Sequence, residues 1–200
     1  QNWYASSDLS FVEYGALQLL DERFGGCREL SGFNVALFRA LGIPCGIDRV
    51  VQNPHRIGSH MWTFMVDTDG RKLPYLWNYY NIDREERMEE KYGKVYRDYF
   101  SVQTTNWAVS YPDEDIPGIL KNPFLRDVSD EYFGRNVAVV PLYDSAGDGR
   151  LCYLAVFNNA GWSPVAVGTA AGFQGVFNNI DTAIVYLPVY HREGKLTAAG

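Results

Sequence analysis

Cys27 follows two glycines in Phe24-Gly25-Gly26-Cys27-Arg28-Glu29-Leu30, and an apolar helical run comes after it. His60 opens a strand pattern, Gly58-Ser59-His60-Met61-Trp62-Thr63-Phe64-Met65-Val66. A thiol attacks a carbonyl carbon only as thiolate, and a helix N-terminus favours that anion through its backbone N–H groups. A histidine beside it takes the proton and keeps it as imidazolium. The two residue types in these settings point to a cysteine-histidine active site. The backbone N–H of Cys27 is the natural first oxyanion donor, because it lies at a helix start. Arg28 would support a thiolate or meet an acidic substrate, and a solvent-facing helix residue is its plainer reading. Trp62 reads either as a wall beside the histidine or as a core residue.

The remaining thiols and imidazoles have plainer settings. Cys45 follows Ile43-Pro44 into an apolar strand, and Cys152 lies between Leu151 and Tyr153 in another, so both read as packing residues. His55, in a proline-containing loop, and His191, near the end of a terminal strand, read as surface residues.

The elements that must carry Cys27 and His60 follow from pattern. Ser10-Phe11-Val12-Glu13 is a capping-box signal, which predicts a helix from about Ser10 to Arg23. Gly25-Gly26 permits a sharp turn into a second helix, Cys27 to Leu41, apolar nearly all round and therefore expected to be buried; Gly42 and Pro44 end it. Strands are expected over residues 46–51 and 60–66, then a tight Asp67-Thr68-Asp69-Gly70 hairpin, then a strand from Lys72 to about Asn78. Residues 83–103 read as a charged helix. Pro112, Pro117, Gly118 and Pro123 punctuate a linker, and short strand patterns separated by Asp/Gly/Asn turns follow. The expected organisation is α+β: residues 1–110 as helices on an antiparallel sheet, 111–124 as linker, and 125–200 as a small β-sandwich.

Composition narrows the function. The chain has 200 residues, 46% of them hydrophobic, enough to build a core without disulfide staples. Net charge is −6 and no basic run exceeds two residues, which argues against nucleic acid or an anionic membrane as partner. No apolar run approaches the roughly 20 residues of a membrane span. Three widely spaced cysteines imply neither a disulfide framework nor a paired-cysteine zinc site. No metal or organic cofactor is expected. A start at Gln1 reads as a processed or excised piece of a longer parent, with further domains possible.

The stretch from Gly26 to Trp62 contains Gly-Cys-Arg-Glu-Leu-Ser, Leu-Phe-Arg-Ala-Leu-Gly-Ile-Pro and His-Met-Trp. It resembles the transglutaminase-like superfamily, whose core is papain-like. Ser59-His60-Met61-Trp62, Lys94-Val95-Tyr96-Arg97 and the strand-rich part from Leu125 are similar to transglutaminase-like proteins of Bacteroides-type bacteria. The resemblance implies Cys27 as nucleophile, His60 as general base, and an aspartate on the next strand to orient the imidazole. That strand holds no acid here: Asn78 is the side chain that could accept from the imidazole, with Asp67, Asp69 and Asp83 as other candidates. Asp67 and Asp69 have turn chemistry as their competing role.

The expected function is cysteine-dependent acyl transfer on a peptide or protein amide, with hydrolysis favoured over cross-linking. The resemblance also implies export to the periplasm or cell surface. The competing expectation is an inactive scaffold whose β-domain binds protein or glycan, with Tyr79, Tyr80, Trp107 and Tyr111 as candidate groove aromatics.

Overall fold

The computed structural model describes residues 4–5, 15–54, 58–75, 91–143, 150–159 and 161–200. They form an α+β chain of antiparallel sheets and few helices. The chain divides into two compact units, Gln1–Arg49 with His60–Glu89, and Val50–Ser59 with Glu90–Gly200. Residues 91–124 thus group with the C-terminal strands.

The first unit contains β1 (Tyr4–Ala5), α1 (Ala16–Glu22), β2 (Phe24–Gly25), α2 (Cys27–Ala40), β3 (Cys45–Val50), β4 (His60–Val66) and β5 (Lys72–Tyr75). Its sheet runs in the order β5-β4-β3. The expected helix 10–23 is α1 within the described residues, and it ends on Arg23 in the left-handed region (φ 58°). The Asp67 hairpin forms as anticipated: its carboxylate accepts from the N–H groups of Asp69 and Arg71.

Helix α2 departs from expectation. Of its fourteen residues only Leu30 and Ser31 are buried, and Leu37 is 42% exposed. The sequence is apolar nearly all round, but a helix lying on one sheet buries a single stripe.

Glycine sets the close approaches at two points. A Cβ on Gly25 would lie 2.8 Å from Leu19 Cδ1 and 3.0 Å from Glu29 Cβ, so the turn between α1 and α2 tolerates no side chain. A Cβ on Gly46 would lie 2.7 Å from the Phe64 ring, which rests directly on the β3 backbone.

The second unit holds β6 (Tyr96–Asp98), α3 (Trp107–Ser110), a 3-10 turn (Gly118–Lys121), β7 (Leu125–Asp127), α4 (Asp130–Phe133), β8 (Val137–Pro141), β9 (Leu151–Asn158), β10 (Gly161–Ala171), β11 (Gln174–Asn178), β12 (Leu187–Arg192) and β13 (Lys195–Ala198). The charged helix expected through residue 103 is not helical over its described part: residues 96–98 are β6, paired antiparallel with β7.

The expected two-sheet sandwich is also corrected. The strands from Val137 onward make one six-stranded antiparallel sheet in the order β13-β12-β9-β10-β11-β8. It curls until its edges meet: Tyr143 N–H, just past β8, donates to Ala199 O, just past β13, at 2.6 Å. Small inward residues permit this curvature. A Cβ on Gly168 would sit 2.4 Å from Val176 O, and one on Gly175 would sit 3.0 Å from Cys152 Sγ. A register shift between Pro164 and Ala166 adds a bend.

One face of this sheet encloses Cys152, Leu154, Ala166, Phe177 and Tyr190. The other carries Tyr153, Val167 and Val189 against Tyr96, Leu120 and Leu125. The Lys94-Val95-Tyr96-Arg97 segment joins these parts. Lys94 Nζ, buried, bonds the Asp127 carboxylate and the carbonyls of Asn178 (2.7 Å) and Asn179 (3.2 Å). Tyr96 Oη donates to Val165 O at 2.8 Å. Arg97 forks onto Glu131 at 3.1 and 3.0 Å.

Candidate active site

Cys27 is the first residue of α2 and is half-buried. The N–H groups of a first helical turn have no partner inside the helix. Here the cap N–H of Gly26 is taken by Glu29, whose carboxylate accepts at 3.0 Å. Glu29 therefore stands within one turn of the thiol, a negative charge opposing the favourable field of the helix end. Arg28 is exposed.

Two hydrogen bonds fix α2 on β4. Ser31 Oγ donates to Met61 O, and Thr63 Oγ1 donates to Ser31 O, each at 3.3 Å. Ser31 therefore lies alongside residues 61–63. Farther along the helix, Cys45 Sγ donates to Val35 O at 3.7 Å, and Pro44 O accepts from Val66 N–H at 2.8 Å. Moving from Ser31 to Val35 thus corresponds to moving from Thr63 towards Val66. Helix α2 and strand β4 run in the same sense. Cys27 lies one turn before Ser31, roughly 6 Å back along the axis, at the end of the strand that His60 opens.

Which face of the sheet each side chain takes follows from alternation. Thr63 and Cys45 bond to α2, so they mark its face. Phe64 and Gly46, one residue on in each strand, meet on the other face. His60 and Trp62 share the parity of Phe64, and their rings lie 5.8 Å apart at 34°. The imidazole thus starts from the sheet face opposite α2. Trp62 is only 3% exposed.

The third member divides as follows. Asn78 and Asp83 lie outside the described residues, as do His55, Tyr79 and Tyr80. Asp67 binds Arg71 Nε at 2.9 Å as well as the hairpin N–H groups, and Asp69 also faces Arg71. Sequence reasoning missed Asp48, a carboxylate with no solvent exposure in β3. Its signal was an acid in the middle of the strand Gly46-Ile47-Asp48-Arg49-Val50.

Other candidates resolve as structure. Burial pushes the Cys152 thiol up to about 12, which leaves it protonated and unreactive. His191 is not a surface residue: its side chain is 11% exposed, its Nδ1 lies 2.7 Å from Asp115 O and 3.2 Å from the Asp115 carboxylate, and its ring meets Tyr153 edge-on.

Trp107 borders a cavity of about 230 Å³ with Tyr96, Asn106 and Asp127. Its polar walls are committed internally. Asn106 bonds Asn122 O, Leu125 O and Ala108 N–H, while Asp127 bonds Lys94 and Ser129. Trp107 itself stacks on Tyr111. Among the described residues no group of three His, Cys, Asp or Glu side chains could hold a metal ion, and no helix is long and apolar enough to cross a membrane.

Comparison with known proteins yields no matching family model, no matching curated protein and no matching solved structure.

Proposed function

We propose that this chain is a cysteine-dependent acyl-transfer enzyme of transglutaminase-like type, acting on peptide or protein amides. The observation that supports it is the common direction of α2 and β4, which carries the thiol end of the helix to the His60 end of the strand. In this reading Cys27 Sγ attacks the amide carbonyl as thiolate, and first-turn N–H groups of α2 stabilise the oxyanion. His60, having taken the thiol proton, returns it to the departing amine, leaving a thioester. Water or a second amine then resolves the thioester, and hydrolysis is the favoured outcome. Arg28 offers a cation at the rim, Trp62 forms a wall beside the imidazole, and Asn78 is its proposed orienting partner. The natural place of such an activity is the periplasm or cell surface.

A second reading has its own observation. His60 shares with Trp62 and Phe64 the sheet face opposite α2. That is the arrangement of an inactive scaffold which binds partners rather than cleaving them.

Reaction with p-nitrophenyl acetate separates the two. The enzyme reading expects a burst of p-nitrophenolate equal to the protein present, an acetyl group on the Cys27 peptide, and loss of both in Cys27→Ala. A wild-type protein with no burst and no Cys27 adduct contradicts it.

A further inference from the structure

We propose that the cavity beside Trp107 in the second unit is a binding site for a single neutral sugar ring, a pyranose. The site is independent of Cys27 and stands whether the chain transfers acyl groups or only binds partners. Its volume of about 230 Å³ lies below the ~300–1,000 Å³ of sites for drug-sized ligands, which suits one ring. Tyr96, Leu120, Leu125 and Val167 line it, and all belong to one buried apolar cluster. Trp107 packs against the same cluster and meets the Tyr111 ring at 5.7 Å. These walls are held in place before any ligand arrives. Tyr96 Oη bonds Val165 O, and Asn106 ties the start of α3 to the carbonyls of Asn122 and Leu125. A pyranose offers such walls the C–H face of its ring.

The rest of the lining supplies polar groups that the fold does not use. Among the described residues, the Thr105 hydroxyl, the Asn178 carboxamide and the Trp107 indole N–H have no hydrogen-bond partner. Asn179 Oδ1 accepts from Asn136 N–H at 3.4 Å, which leaves its side-chain N–H groups open as well. Asn178 reaches the cavity by alternation: Phe177 takes the enclosed face of the curled sheet, so the next residue takes the face of Val167. Asp127 adds a fixed acceptor. Ser129 N–H and Oγ hold one of its oxygens, and Lys94 Nζ binds the other. Each carboxylate oxygen keeps acceptor capacity for a hydroxyl donor, and such bonds are short and charge-assisted. Sugar hydroxyls both donate and accept, so they match amide, indole, hydroxyl and carboxylate alike. Charge selects the neutral ring. Lys94 offsets Asp127, and among the described lining residues there is no cation to receive a phosphate or carboxylate.

The test is an NMR titration of the isotope-labelled chain, read on the Trp107 indole N–H signal, which Trp107→Phe assigns. The probes are methyl glycosides of glucose, galactose, mannose and N-acetylglucosamine, their parent free sugars, and glucose phosphate as the charged comparison. The expected result is a saturable shift with at least one neutral sugar, with Kd about 1–10 mM, and weaker binding of glucose phosphate. Thr105→Ala or Asn178→Ala should weaken that binding about 3–10-fold. Both residues are exposed, and the bond from Lys94 to Asn178 uses the backbone carbonyl, so both variants keep the fold. Preference for a glycoside assigns the end of a glycan, and preference for a free sugar assigns a monosaccharide. No shift with any neutral sugar overturns the proposal, as does binding unchanged in both variants or tighter for glucose phosphate. Failure here leaves the acetylation of Cys27 unaffected, and a Cys27 that does not acetylate leaves the sugar titration unaffected.

Discussion

A thiol at the start of a helix is accessible to reagents and substrates in a way that a core thiol is not, and the three cysteines here span that contrast. Cys27 is half-buried at the first position of α2; Cys152 is wholly enclosed, with its thiol pushed up to about 12. Iodoacetamide at neutral pH should therefore label Cys27 and leave Cys152 unmodified until the fold opens, which peptide mass spectrometry reads directly. The site's support is equally local. A Cβ at Gly46 cannot coexist with the Phe64 ring at 2.7 Å. Gly46→Ala should cost about 1–3 kcal/mol in denaturant unfolding as the ring and strand shift. It should also disturb the face that carries Trp62 and His60.

At the scale of elements, the Lys94-Val95-Tyr96-Arg97 segment is a fastening rather than a site. Each of its polar side chains ends on a partner within the second unit, and Ser129 Oγ receives the Val95 N–H at 3.0 Å. Glu131→Gln removes the carboxylate onto which the guanidinium of Arg97, 4% exposed, forks. It should destabilise by about 2–3 kcal/mol in urea unfolding, and an unchanged midpoint would deny the fork any structural role.

The same scale shows what the sequence made legible. Strand β4 appears with the bounds its apolar and aromatic run announces, His60–Val66, and α2 starts on Cys27 after Gly25 closes β2 and Gly26 serves as the N-cap, where the glycine pair announced a break. Beyond that, pattern misleads where tertiary contacts decide. Tyr96–Asp98 is a strand because β7, some thirty residues on, pairs with it, and no local period reports such a partner. The alternating strands from Val137 onward read equally well as two sheets or as one curled sheet. Gly168, Gly175 and the register shift near Pro164 choose the second. For the site, residue types and helix-start chemistry were readable, whereas the opposed sheet faces of α2 and His60 and the burial of Asp48 depend on register.

Over the whole molecule, stability should depend on alkaline pH. Burial raises the pKa of Cys152, and it raises Tyr96, Tyr153 and Tyr186 above the ordinary phenol value, with carboxylates nearby adding to the effect on the tyrosines. A group whose folded pKa is raised stabilises the fold fully below its unfolded value. That stability is lost as pH rises past it, since the unfolded chain releases the proton first. The urea midpoint should therefore be steady near neutrality and decline above about pH 9–10. Tyr153→Phe should flatten the decline, while a midpoint that rises with pH would reverse the sign of this account.

The acyl-transfer reading stands on one physical relation, an ion pair between Cys27 and His60. Its most direct measurement is the iodoacetamide alkylation rate of Cys27 against pH, in wild type and in His60→Ala, followed on the Cys27 peptide. The account predicts a wild-type thiol that titrates well below the free-thiol value of about 8.5 and loses that behaviour when His60 is removed. A Cys27 that titrates as a free thiol in both proteins would contradict it.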